Sequence, residues 1–230
     1  MKAIKENESV VVLGKNIMPT LFNQIWLAEK EIIKKEEFSE NIDKQIFAPQ
    51  LSTVSTSLFD LLVLPQRVQV VLKSDDYKTN ESIIKRVVGE IVKNLLNIEY
   101  SAVGANVTYL FEFSDNEKYI EKSRNFFICS ENTVVKEHFH TPDSKFGFYC
   151  SKDFKEMRLK LDIKPRKTKD NPPKDLLALT FNFHFEVPED LKVEEKKNAV
   201  EKNLLKWRES MEHSKKIVED FEKMWEGQKI

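Results

Sequence analysis

The sequence contains few glycines and cysteines, and it has no long uninterrupted hydrophobic run. Its 5 glycines include no phosphate-binding GxxxxGK[ST] loop, and no GxSxG nucleophile elbow occurs. The 2 cysteines, Cys129 and Cys150, form no CxxC pair and no disulfide framework, so we expect free, buried thiols. No apolar run approaches the roughly 20 residues that span a bilayer, and the N-terminal residues lack a signal-peptide core. These absences predict a soluble, cytoplasmic protein that has no cofactor and no membrane contact.

An excess of charge of one sign is missing as well. The chain has 37 basic and 38 acidic residues, a formal net charge of −1, so it lacks the basic excess of a dedicated nucleic-acid binder. A hydrophobic content of 40% with 16 Phe excludes a disordered chain, and 33% charged residues exclude a multi-span membrane protein. A chain this long buries a sizeable core. Because we find no internal repeat and no long linker, we expect one domain over residues 1–230.

Strand patterns recur along most of the chain. The β-branched run Ser9–Leu13 ends at Gly14, and in 176–187 apolar residues at odd positions alternate with other residues at even positions. Pro65 interrupts another strand and indicates a bulge or a sheet edge. The predicted strands are 9–13, 46–56, 59–72, 100–113, 133–140, 145–162 and 176–187, with an exposed loop at 164–174.

Helical patterns separate these strands. A short amphipathic helix follows Pro19, with a solvated continuation over 30–40, and a further helix is predicted at 119–128. The central helix has apolar pairs in i, i+4 rows from Ile83 to Leu96. A long charged helix spans about 188–227. Strands joined mainly by hairpins, with helices set apart from them, predict an α+β fold: an antiparallel sheet with helices packed on one face and a long C-terminal helix.

Three segments resemble a known family. The run Val10–Asn16 with Pro19 resembles its strand-Gly-x-Asn opening, and Ala102–Asn106 resembles its small-Gly-x-Asn strand. The last helix, with Phe221 and Trp225, resembles its closing helix. The family is a sporadically distributed set of uncharacterised bacterial and phage α+β proteins. The resemblance implies an accessory, mobile-element or defence-related context, and it implies no catalytic residues.

The C-terminal helix offers the first candidate binding surface. Four large side chains lie on an a/d-like stripe over about four heptads, namely Trp207, Met211, Phe221 and Trp225. Tryptophans are frequent anchors of protein interfaces. The stripe therefore predicts binding of a protein partner or of a second copy, as a homo-oligomer. Leu205, Ile217 and Met224 widen the stripe, which favours the alternative that the helix docks on the protein's own core.

A basic stretch within 158–174 offers a second candidate surface. Lysines and arginines can neutralise phosphates, which predicts a nucleic-acid site as an alternative function. The candidate residues are Arg158, Lys164, Arg166, Lys167 and Lys169. A solvated hairpin tip is the simpler interpretation, because charge on a loop commonly serves only solubility.

A histidine pair offers a third candidate. His138 and His140 would project from one face of a strand, as two ligands of one metal do. His184, Glu137 or Asp143 would supply a third ligand to a metal-dependent hydrolase. The alternative is a polar strand face without metal, and no catalytic constellation predicts an enzyme more strongly than this one. The sequence thus favours a non-enzymatic protein-binding or assembly module.

Overall fold

The computed structural model describes residues 3–39, 45–95, 97–113, 116–127, 133–139, 141 and 144–227. The strands within these ranges are β1 Ala3–Lys15, β2 Ile46–Ala48, β3 Leu51–Ser55, β4 Phe59–Leu64, β5 Arg67–Leu72, β6 Glu99–Glu112, β7 Phe148–Phe154, β8 Met157–Lys167 and β9 Asp175–Glu186. They form one antiparallel sheet in the order β2-β3-β4-β5-β1-β6-β9-β8-β7. The first strand of the chain is therefore the central strand of the sheet. The predicted α+β fold with an antiparallel sheet is confirmed.

The sheet has a buried face and an open face, because successive side chains of a strand point to opposite sides. The odd-numbered apolar residues of β9 are each at most 1% exposed, namely Leu177, Leu179, Phe181, Phe183 and Phe185. Thr180, Asn182 and His184 lie between them on the open face and are half-buried. The predicted alternation of β9 is confirmed from Leu179 to Glu186, whereas Ala178, predicted to face outward, is 1% exposed.

Two regions contain more strands than their patterns predict. Residues 46–72 fold as four strands, β2 to β5, and residues 145–162 contain β7 and half of β8. Pro65 stands in the two-residue turn between β4 and β5, which are both interior strands, so its prediction as a bulge or a sheet edge is wrong. A proline ring cannot donate to a strand ladder, but its fixed φ suits a turn. The edges of the sheet are β2 and β7.

The helices pack on the buried face. They comprise α1 Gln24–Glu29, α2 Lys35–Ser39, α3 Tyr77–Ile83, a π-helical segment Ile84–Gly89, α4 Glu90–Asn94, α5 Asn116–Phe127, α6 Thr133–Phe139, α7 Val193–Leu204 and α8 Trp207–Gly227, with a 3-10 turn at Pro19–Leu21. The π-helical segment contacts β5, α7 contacts β6, and α8 contacts β1, β6 and β9. No helix among the described residues is long and apolar enough to cross a membrane.

Three predictions for individual segments are wrong. The described part of 133–140 is the helix α6, not a strand, and β8 continues through Lys167, which shortens the loop predicted at 164–174. The segment 30–40 is not merely solvated, because Ile32 and Ile33 are 0% exposed and Phe38 is 2% exposed. These three apolar side chains belong to the core and anchor the segment to it.

The central helix consists of α3, the π-helical segment and α4, and its geometry follows the spacing of its apolar residues. Its buried apolar pairs recur every four residues, Ile83 and Ile84, Val87 and Val88, Ile91 and Val92, whereas an α-helix turns once in 3.6 residues. A strict α-helix would rotate successive pairs away from the sheet. The π-helical segment bonds from residue i to i+5 and makes a wider turn, which keeps the pairs on one face.

Candidate protein-binding groove

A groove runs between the central helix and the junction of α7 with α8. Its volume is about 290 Å³. Its floor is apolar, formed by Ile84, Leu204 and Trp207, which are 3%, 8% and 2% exposed. Its rim is charged and consists of Glu81, Lys85, Glu90, Lys93, Glu201 and Arg208. An apolar floor inside a ring of polar groups is the usual composition of a binding site.

Gly89 opens this groove. It is the last residue of the π-helical segment, and it lines the groove without a side chain. A Cβ added to Gly89 would have only the carbonyl oxygen of Ile84 within 4 Å, at 3.9 Å. The helical backbone does not require glycine here, and glycine within a helix costs about 0.5–1 kcal/mol relative to alanine. The effect of this glycine is therefore to leave space above the floor.

The break between α7 and α8 presents Leu205 beside the groove. The Lys206 amide donates to the carbonyl of Asn203 at 3.1 Å, an i to i+3 bond that tightens the end of α7. Leu205 lies in this break and lines the groove with 68% of its surface exposed. The prediction that Leu205 widens the stripe facing the core is wrong, since the break turns its side chain outward.

Ion pairs neutralise part of the charge on the rim of the groove. The Lys85 ammonium lies 2.9 Å from a carboxylate oxygen of Glu81, and this hydrogen bond lowers the pKa of Glu81. Arg208 Nε donates to Glu212 at 3.0 Å, and this bond raises the pKa of Arg208. The lowered pKa keeps the Glu81 carboxylate ionised at neutral pH. The groove thus has an apolar floor beneath a rim of mixed sign.

The structure places the four predicted partner-binding side chains against the protein's own sheet. Trp207, Met211, Phe221 and Trp225 are all at most 7% exposed. The rings of Phe221 and Phe111 are 5.4 Å apart, and those of Trp225 and Phe113 are 5.3 Å apart. Packing on the sheet accounts for the stripe without a partner, and only Trp207 also contributes to the groove.

The predicted nucleic-acid residues lie along β8 and the loop that follows. Three of them already contact carboxylates: Arg158 with Asp153 at 2.8 Å, Lys164 with Asp162 at 2.5 Å, and Arg166 with Glu6 at 3.0 Å. Lys167 and Lys169 are exposed, and no carboxylate of the described chain lies within 4 Å of either ammonium. The stretch therefore carries less free positive charge than its sequence indicates.

Two of the three predicted metal ligands lie within the described residues, and they are on different elements. His138 is exposed on α6, so the strand geometry proposed for it is wrong, and His184 lies on β9 opposite Gly104. His140 and Asp143 lie outside the described residues. Within the described ranges, no group of three or more His, Cys, Asp and Glu side chains is placed to hold a metal ion.

Sequence reasoning missed several residues that the fold makes notable. Gly89 had a visible signal, a glycine in the middle of a strong helix pattern. His213 had none, because its partner is remote: its ring stacks on Phe154 with the centroids 4.0 Å apart. Cys150 is exposed rather than buried, and Cys129 lies outside the described residues.

Comparisons with protein-family models and with curated proteins find no match to this chain. The resemblance carried by residues 10–16, 102–106 and the last helix stays a prediction. The function is therefore inferred from the geometry of the chain itself.

Proposed function

We propose that this protein is a non-enzymatic binding module that holds a short amphipathic helix of a partner protein in the groove of Gly89 and Leu205. The observation that carries the proposal is the pairing of an exposed leucine with a glycine that leaves space over an apolar floor. Single exposed leucines are ordinary on protein surfaces. A leucine beside a concave apolar groove offers a partner both a pocket and a contact at its rim.

The position of the groove favours a peptide segment. Pockets for cofactors and drug-sized ligands occupy about 300–1,000 Å³, and this groove, at about 290 Å³, lies at the lower limit of that range. Helix-in-groove recognition needs space only for the few apolar side chains that recur along one helix face. The groove lies between two helices, an arrangement that a third helix can complete.

The other functions predicted from the sequence have less support. Ion pairs already occupy Arg158, Lys164 and Arg166, which weakens the nucleic-acid alternative. The metal-dependent alternative needs convergent ligands, and His138 and His184 lie on α6 and β9. The cytoplasmic location, the homo-oligomer and the accessory or defence context stay predictions.

Site-specific photo-crosslinking tests the proposal. A photoreactive residue at position 205 should give a discrete adduct with a partner in the native host, and Gly89→Leu should remove that adduct by filling the groove. The matched control is position 224, since Met224 is 63% exposed, close to the 68% of Leu205, and does not line the groove. Equal adducts at both positions, or an adduct that survives Gly89→Leu, would contradict the proposal.

A further inference from the structure

A second depression lies on the other side of the central helix. It has a volume of about 1120 Å³ and lies between that helix and the segment around α1 and α2. Its lining includes seven basic residues, Lys30, Lys34, Lys35, Lys78, Lys85, Arg86 and Lys93, and four acidic residues, Glu31, Glu36, Glu81 and Glu90. We call it the lysine cleft. The excess of three basic residues contrasts with the net charge of −1 of the whole chain.

Four of the seven basic residues lie apart from any carboxylate in the part of the chain that the structure describes. Lys85, Lys93 and Arg86 each have a carboxylate within 3.3 Å. By contrast, no carboxylate within the described ranges lies within 4 Å of the exposed ammonium groups of Lys30, Lys34, Lys35 or Lys78. An excess of one sign of charge in a cleft raises the local concentration of oppositely charged ligands. These four lysines therefore favour an anionic ligand.

The segment that carries three of these lysines is held in place. Ile32 and Ile33 are fully buried between Glu31 and Lys34. Arg86 donates to the carbonyl oxygen of Ile32 at 3.1 Å and to Glu37 at 2.7 Å. A segment fixed before binding loses little conformational freedom when a ligand arrives. The lysines thus form a surface that exists before binding.

One ridge separates the lysine cleft from the apolar groove. Glu81, Lys85, Glu90 and Lys93 line both depressions. Because the same four side chains line both depressions, a helix in the groove has one flank next to the edge of the cleft. Charges at that edge interact over about 8 Å at physiological ionic strength.

We infer that the segment bound in the apolar groove is an acidic amphipathic helix whose carboxylates face the lysine cleft across this ridge. The inference rests on the proposed function, and it adds the chemistry of the partner. Exposed ion pairs contribute little each, so the lysines act mainly on selectivity and association rate. We expect about a tenfold affinity preference for an acidic over a basic helix of the same apolar face, and a loss of this preference at high salt.

Two synthetic peptides test the inference. Each is a fluorescent helix longer than about 15 residues, so that it holds its helical form, with leucine along one face and either glutamate or lysine on the others. Fluorescence anisotropy measures binding at low and high salt. The cleft variant reverses four charges, Lys30→Glu, Lys34→Glu, Lys35→Glu and Lys78→Glu. Its matched control reverses four lysines of β8 and the following loop, Lys160→Glu, Lys164→Glu, Lys167→Glu and Lys169→Glu.

The expected results distinguish the groove as a binding site from the acidic character of the partner. The cleft variant should bind the glutamate peptide about tenfold more weakly, while the control variant binds it as the wild type does. Gly89→Leu and Leu205→Asp should reduce binding of both peptides. Equal binding of the two peptides by the wild type would overturn the acidic partner and leave the groove intact.

Two further outcomes count against the claims. If neither peptide binds, or if Gly89→Leu leaves binding unchanged, the groove itself fails as the proposed site. If single-stranded DNA competes with the glutamate peptide and loses affinity in the cleft variant, the cleft is a nucleic-acid site and the acidic partner is overturned.

Discussion

Arg86 donates two parallel hydrogen bonds to the carboxylate of Glu37, each 2.7 Å from nitrogen to oxygen. The pair joins the π-helical segment to α2, and burial of the ion pair is substantial, with 23% and 13% of the two side chains exposed. The hydrogen bonds from Arg86 and Lys34 outweigh the burial of Glu37, so the pKa of Glu37 lies below its usual value. This contact positions the lysine-bearing segment beside the central helix, where it lines the lysine cleft.

Arg86→Met should lower the free energy of unfolding by about 1–3 kcal/mol, because it leaves the half-buried carboxylate of Glu37 without its bidentate donor. Arg86→Lys should lose less, since it keeps a charge but not the planar fork. Urea unfolding measures both variants. A double-mutant cycle with Glu37→Gln should show coupling between the two positions; additive effects would contradict the contact.

Gly89→Ala should raise the free energy of unfolding by about 0.5–1 kcal/mol, because alanine is the better helix former and its Cβ would make only an ordinary contact with the carbonyl oxygen of Ile84 at 3.9 Å. Gly14 is the matched contrast. A Cβ at Gly14 would lie 2.9 Å from Ile98 Cγ2 and 3.2 Å from the carbonyl oxygen of Glu99, so Gly14→Ala should destabilise. Chemical denaturation midpoints of the two variants should move in opposite directions. A destabilised Gly89→Ala would mean that the groove is not open at this position.

Trp207→Ala should destabilise the fold by about 3–5 kcal/mol, because its ring is 2% exposed and packs edge-on to Tyr77 with the centroids 5.9 Å apart. This variant would therefore test stability rather than partner binding. Leu205→Ala, at an exposed position, should change stability by less than about 0.5 kcal/mol. Thermal unfolding distinguishes them, and equal losses would contradict the placement of Leu205 outside the core.

Glu8→Gln should stabilise the protein at neutral pH. Glu8 is 1% exposed, and burial raises the pKa of its carboxyl above the ordinary 4.5, although Lys5 lies 3.0 Å away and opposes the shift. The folded state therefore holds the proton more tightly than the unfolded state. Unfolding free energy must then fall as pH rises above about 4.5.

The amide of Glu8→Gln does not ionise, so this fall should be smaller in the variant. Lys5 retains Asp75 as a partner at 3.0 Å. Urea unfolding from about pH 5 to about pH 8 measures the slope. A variant less stable than the wild type across this range would show that the ionised pair with Lys5 is favourable.

His213→Phe should reduce the loss of stability in mild acid. Burial against Phe154 and the nearby charges of Lys152, Lys216 and Lys155 lower the pKa of His213 below its ordinary 6.5. The imidazole of His213 then binds a proton more readily in the unfolded chain than in the folded one. The free energy of unfolding therefore falls as the pH drops through about 6.5.

Phenylalanine keeps the stacked ring of His213 and removes the titration. The unfolding free energy of His213→Phe should therefore vary less between about pH 7 and about pH 5 than that of the wild type. His213 Nε2 is buried without a hydrogen-bond partner in the described structure, so the substitution sacrifices no such bond. An unchanged slope would place the acid sensitivity elsewhere.

The fold class was predictable because local periodicity records which side of an element is buried. The alternation of β9 and the i, i+4 rows of the central helix each require a partner surface, and an antiparallel sheet covered by helices satisfies both. The number of strands was less predictable. A turn of two residues, as at Pro65 and Gln66, barely interrupts an alternating pattern, so a hairpin resembles one long strand.

The sequence by itself determined the secondary structure of the strongest patterns and the apolar stripe of the last helix, because these depend on spacing within one element. Only the tertiary structure decided that the stripe is covered by the sheet, that Leu205 faces outward at a helix break, and that Gly89 lies opposite it in a groove. Each of these facts depends on contacts between elements distant in sequence. The candidate site was not predictable for the same reason: its floor joins Ile84 to Trp207, and no local pattern links the two.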